Sequence, residues 1–140
     1  MESTLPIPAL AAAKTIKTQA IAYWIVTALF CLVMIFNAWY MLLFLPEGAQ
    51  AIARLGFPGY FRVELALAKI LGVVLLLAPV PSRLKEWAYA GFAINLASAL
   101  VAHLSIGDGP ERWAPSAVTS AAWGISYYLW RRHQSSYTTA

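Results

Sequence analysis

Charge is scarce in this chain: 11% of its 140 residues are Asp, Glu, Lys or Arg, where a soluble domain carries about 25%. At the same time 61% are hydrophobic. A chain this short cannot surround so much apolar surface with a polar shell of its own, which excludes a soluble enzyme and leaves lipid to supply the shell. Cysteine occurs once, at Cys31, so an internal disulfide, a CxxC redox pair and a cysteine-based zinc site are all excluded, and any thiol chemistry needs a partner protein. GxGxxG, CxxCH and bis-His arrangements are missing, and no cofactor is evident. One histidine among the apolar segments, with Glu64 the one carboxylate beside it, does not make a buried transition-metal site. The net charge of +4 is spread over short segments rather than gathered into a basic stripe, so nucleic acid is not an expected partner.

What the chain has in abundance is apolar length. Residues 20–45 hold no charged side chain over 26 positions, more than enough at about 1.5 Å per residue to cross a hydrocarbon core of about 30 Å. Lys14 and Lys17 precede this run and imitate a signal peptide, but the run is too long and no small-residue cleavage site follows, so it reads as uncleaved. Residues 1–19 read as a cytoplasmic tail whose first 13 residues are loose or weakly helical, and 46–55 as an external loop or interfacial helix closed by Gly56-Phe57-Pro58-Gly59. Further apolar segments at 60–78, 84–105 and 114–130 are separated by Pro79-Val80-Pro81 and Gly107-Asp108-Gly109-Pro110, with 131–140 a cytoplasmic C-terminal tail. The expectation is an all-α, integral membrane, antiparallel four-helix bundle filling residues 20–130. Six cations (Lys14, Lys17, Arg83, Lys85, Arg131, Arg132) then share the side of the termini, against three (Arg54, Arg62, Arg112) on the other. The positive-inside rule makes both termini cytoplasmic, in a multi-pass protein of a bacterial-type cytoplasmic (inner) membrane. Gly72, Ala90, Gly91, Ala93, Ala97 and Gly124 are expected to let helices approach closely.

Polar side chains inside the spans are unevenly placed. By depth, Asn37, Glu64, Lys69, Asn95 and His103 all fall at the midplane or in the outer half, while the inner halves read as almost purely apolar. An ionised group in hydrocarbon costs a few kcal/mol and faces the protein interior with partners. Glu64 and Lys69 lie about 140° apart around a helix, so each needs its own partner on another helix. These residues predict a polar pocket between helices, open to the outer side, with Lys69, Glu64 and His103 as candidate catalytic groups and Asn37, Asn95, Tyr40 and Ser116 as candidate ligand contacts. The bland alternatives are that Glu64 snorkels or pairs with Arg62 or Arg112, that His103 binds a loop, and that Asn37 and Asn95 join helices.

Lys69-Ile70-Leu71-Gly72, then Leu75-Leu76-Leu77, the proline-bounded turn, and Arg83-Leu84-Lys85-Glu86-Trp87-Ala88-Tyr89-Ala90-Gly91-Phe92 form a specific pattern. With Ala99, His103, Gly107-Asp108 and Pro115, it resembles the DoxX-like family of small four-helix membrane proteins over residues 35–128. Relatives in the wider DoxX group are associated with a small subunit of thiosulfate:quinone oxidoreductase, with membrane oxidoreductase complexes, and with resistance to catechols and quinones. The resemblance implies a lipophilic, quinone-related small molecule as ligand or substrate, and a homo-oligomer or a soluble oxidoreductase as partner beside membrane lipid. Three functions compete: an enzyme or enzyme subunit in which Lys69 is the electrophile and Glu64 or His103 relays a proton, a non-catalytic anchor or ligand-binding accessory protein, and a small transporter. Without a redox motif, cofactor-free proton transfer of isomerase or hydrolase type is physically easier for this chain alone than electron transfer.

Overall fold

A computed structural model describes residues 6–43 and 45–138, and these are helical throughout apart from turns. In chain order the helices are α1 (Ile7–Leu43), α2 (Leu45–Arg54), α3 (Gly59–Leu77), α4 (Ser82–Ser105) and α5 (Pro110–Thr138). No strand occurs among the described residues.

The tails are helical. α1 begins at Ile7 and runs for 37 residues, so of the two readings for the first 13 residues, loose or helical, helix is the one that forms from Ile7 onward, residues 1–5 lying outside the described ones. Pro8 falls in the first turn, where a missing N–H costs nothing, and Ala9, Ala11, Ala12 and Ala13 are the strongest helix formers. Residues 131–138 likewise continue α5, held to the start of α4 by an Arg131 Nη1–Glu86 Oε1 ion pair at 2.8 Å. Of the two readings for 46–55, the helix is the one that forms.

The turns follow from their residues. Ala78 precedes Pro79 and is extended at ψ 153°, because a proline pushes the residue before it out of the helical region. Lys85 then reaches back, its Nζ donating to the carbonyl of Leu76 at 3.2 Å, one of the last carbonyls of α3 that no helical N–H satisfies. At the opposite end α2 and α4 finish alike. Gly56 at φ +85° and Gly107 at φ +76° take the left-handed position after the helix. The next N–H returns to a carbonyl five residues back, Phe57 to Ile52 at 3.1 Å and Asp108 to His103 at 3.0 Å, which is the Schellman arrangement.

The four longer helices pack in cyclic order. α1 lies against α3 and α5, α4 against the same two, and α2 lies across α1 and α3 at one end. Diagonal neighbours meet through long side chains, such as Phe30 against Phe92 with ring centroids 5.1 Å apart. One buried cluster centres on Tyr23, Phe30, Tyr89, Phe92, Leu76 and Trp130, and a second, at the α2 end, on Ala38, Met41, Ile52 and Ala66. The outside is inverted relative to a soluble protein: Trp87 is 77% exposed, Phe36 71% and Val118 70%. α1 and α4 are each long and apolar enough to cross a bilayer, yet only 28% and 22% of their most apolar windows are buried within the protein. A soluble core helix would be mostly covered, so lipid is the solvent this surface fits, and the chain is a membrane protein. α3 is as rich in apolar side chains but carries three charged ones, Arg62, Glu64 and Lys69, inside 19 residues, and α5 is the most polar of the long helices.

Two expectations about side chains need correction. Of the small residues, Gly72 does mark a close approach, since a Cβ there would stand 2.6 Å from Phe92 Cζ, but Gly91 and Gly124 have nothing within 4 Å of such a Cβ, and Ala90 and Ala97 are exposed. Nor is the half of the protein near the termini purely apolar. Thr27 Oγ1 and Ser126 Oγ share a hydrogen bond of 2.6 Å and Tyr89 OH lies 2.8 Å from the same Ser126 oxygen, joining α1, α4 and α5 through hydroxyls buried from lipid. Short hydroxyl side chains do not register as polar in a hydropathy reading, which is why this cluster escaped it.

Candidate functional site

Between the two buried clusters lies a cavity of about 790 Å³, within the range of small-molecule sites. Its existence follows from side-chain size along α4. Asn95, Ser98, Ala99, Ala102 and His103 all line it, a stripe at i, i+3, i+4, i+7 and i+8 that gives one helical face. Most of that face is small, and Gly91 and Ala88 extend it. Across from it α3 presents Ala68 and Gly72 beside Lys69.

Lys69 is buried at 9% exposure and lines the cavity. Its Nζ donates to Asn37 Oδ1 and lies 3.5 Å from Met41 Sδ. Asn37 and Met41 are four residues apart on α1 and so present their side chains from one face. An ammonium has three donors and a thioether is a weak acceptor, so Asn37 satisfies only part of what Lys69 offers and the remainder is available to a guest. Asn95 borders the same space and makes no hydrogen bond with any described residue, leaving an amide able both to donate and to accept.

His103 forms the wall nearer α2. Its Nδ1 is 2.6 Å from Asp108 Oδ2. The turn explains why: the Schellman geometry that sends the Asp108 N–H to the His103 carbonyl also brings the two side chains together. An ionised carboxylate only accepts, so Nδ1 donates, and in the neutral ring Nε2 is the acceptor. Arg54 of α2 bonds the other carboxylate oxygen, and Arg112 Nε lies 4.0 Å from it. Asp108 is held below the usual carboxylate range, chiefly by the hydrogen bond from His103, with Arg54 and Arg112 adding to it against the opposing effect of burial. Tyr40, also in the wall, donates to Glu47 Oε2 at 2.7 Å and so ties α1 to α2. Gly48, Ala51 and Ile52 of α2 roof the cavity at this end, and Pro115, Ser116 and Thr119 of α5 complete it.

Six of the seven expected site residues therefore border one space: Lys69, His103, Asn37, Asn95, Tyr40 and Ser116. Glu64 does not. It is exposed on the outside of α3 and forms no ion pair with any described residue, Arg62 and Arg112 included; the 140° that separates it from Lys69 turns it away. Sequence reasoning missed Asp108, although the signal was present: a glycine four residues after His103 ends the helix, and the residue after that glycine folds back over the histidine. Among the described residues no group of His, Cys, Asp and Glu is arranged to hold a metal ion.

Comparison with curated proteins and with solved structures finds no match. Compared with protein families, residues 25–125 match the DoxX-like family, a span that contains all five helices in whole or part and every residue of the cavity wall. The chain belongs to the DoxX-like family.

Proposed function

We propose that this protein binds a lipophilic small molecule bearing a carbonyl or similar acceptor oxygen, in the quinone-related class, within the membrane. The observation that carries this reading is Lys69: a buried ammonium, partly satisfied by Asn37, in the wall of a mainly apolar cavity. A charge in such a place is costly unless it is used, and what it offers is an N–H aimed at an acceptor oxygen. Asn95 supplies a second polar contact, and His103, oriented by Asp108, a proton acceptor at the α2 end of the same cavity. This set suits polarisation of a carbonyl by Lys69 with proton exchange through His103, either as cofactor-free chemistry or as the ligand-holding subunit of an oxidoreductase system. In the same reading α1, α3, α4 and α5 cross the bilayer as an antiparallel four-helix bundle in the cytoplasmic membrane. The termini and the Pro79 turn face the cytoplasm, as the excess of Lys and Arg at that end supports.

The test is binding of an alkylated benzoquinone to the purified protein in lipid nanodiscs. Lys69→Met keeps the length and packing of the side chain and removes its N–H groups. The expected result is a loss of affinity of about tenfold or more with helical content unchanged by circular dichroism. Equal affinity in the variant removes Lys69 from the site.

A further inference from the structure

The cavity is not closed on all sides. Four large apolar residues both line it and face outward: Leu71, 60% exposed, Trp87, 77%, Ile94, 69%, and Val33, 48%. Three of these four stand on α3 and α4, and Gly91 lies between Trp87 and Ile94 with open space where a side chain would be. Residues that border the cavity and are also mostly exposed mark the side where its wall is thinnest, and at Gly91 no side chain fills that wall. α3 and α4 are drawn together where Gly72 meets the Phe92 ring, and next to that contact Ala68 and Gly91 leave a slot. Trp87 to Ile94 covers about 10 Å of it along α4.

The end near His103 is covered in part. α2 lies across it, fastened to α1 by Tyr40 and Glu47 and to the α4–α5 turn by Arg54 and Asp108. The open side is flanked by the exposed apolar surface that lipid covers.

We propose that the ligand is a bilayer-dissolved amphiphile that enters sideways between α3 and α4, places a compact acceptor head at Lys69, and leaves a hydrocarbon tail in the slot past Gly91. This rests on the reading of the cavity as a binding site and adds the route and the class of molecule: a single-tailed lipid such as an alkyl or isoprenoid quinone, not a water-borne metabolite. The other candidate for the slot is a second copy of this chain. A flat apolar helix face carries no polar atom to Lys69 or Asn95, whereas a headed lipid does.

The experiment compares a tail-less benzoquinone with the same quinone carrying a decyl tail, on wild-type protein and on Gly91→Leu in phosphatidylcholine nanodiscs. The new side chain occupies space that is open, so the fold is retained, which thermal unfolding verifies. Wild-type protein is expected to bind both quinones. Gly91→Leu is expected to weaken the tailed one about tenfold or more and to change the tail-less one by less than about twofold. Unchanged affinity for the tailed quinone in Gly91→Leu overturns the lateral slot while leaving the Lys69 pocket standing. Failure of wild-type protein to bind either quinone overturns both. In parallel, Ile94→Cys is oxidised in the membrane; Cys31 is buried and contributes no background. Monomer is the expected product, and a disulfide-linked dimer overturns the proposal by showing that a second copy covers the slot.

Discussion

His103 and Asp108 are five positions apart in sequence and joined by a 2.6 Å hydrogen bond, and that bond has a pH signature. Because the Asp108 carboxyl titrates below its ordinary value of about 3.9, the folded state holds its negative charge more firmly than the unfolded chain does. The stabilisation is therefore complete above about pH 4 and is lost as the pH falls through the lower, folded-state value. Thermal unfolding of the detergent-solubilised protein is expected to show a wild-type midpoint that drops in this acid window. Asp108→Asn starts a few degrees lower at neutral pH and is flat through the same window; a variant that follows the wild-type curve removes Asp108 as the source. Residue by residue, the sequence was legible where charge was conspicuous: Lys69 stands out in an apolar run and proves buried. Glu64 was equally conspicuous and turns outward, because hydropathy gives depth but not azimuth. The Thr27, Tyr89 and Ser126 hydroxyls were invisible for the opposite reason, being polar groups whose side chains are otherwise apolar or small.

Helix pairs show what glycine contributes and where it contributes nothing. Phe92 is 3% exposed and set edge-on against Phe30, so a methyl group added at Gly72 pushes its ring out of that contact. Gly72→Ala is expected to destabilise by about 1–3 kcal/mol, the usual cost of overpacking. Phe92→Leu, combined with it, is expected to recover part of that loss, a coupling that a double-mutant cycle in thermal or denaturant unfolding measures. Additive losses contradict the contact. Helix existence was readable from apolar length and from the Gly and Pro punctuation, and each of the four long segments falls largely within a helix. Helix ends were less so. α1 and α5 run past the apolar boundary because alanine propensity in one case and ion pairing to α4 in the other continue the helix into water, and neither appears in a search for spans.

At the scale of the molecule, scarcity of charge was the most informative property of the sequence, since it fixed the solvent before any element was placed. Orientation rests on the cations that remain. Reporter fusions at the N-terminus and at the C-terminus are both expected to read cytoplasmic, and one inserted in the turn at Gly107–Gly109 external; the reverse pattern, or termini on opposite sides, contradicts the arrangement drawn from Lys and Arg. The cavity itself was only half legible. Its polar residues were identified by depth, while its volume comes from the run of small side chains on α4, which reads in sequence as tight packing and serves in space as room.

The two Schellman turns at the α2 end share a backbone and differ in what closes them. After α2 the turn is followed by Phe57, stacked on Phe61 at 4.7 Å, and after α4 it is followed by Asp108 with its cations. Salt screens the second and leaves the first untouched, and acid undoes the second alone. The α2 roof of the cavity is thus held near Phe57 by apolar contact and at Arg54 by charge, two fastenings that differ in their response to salt.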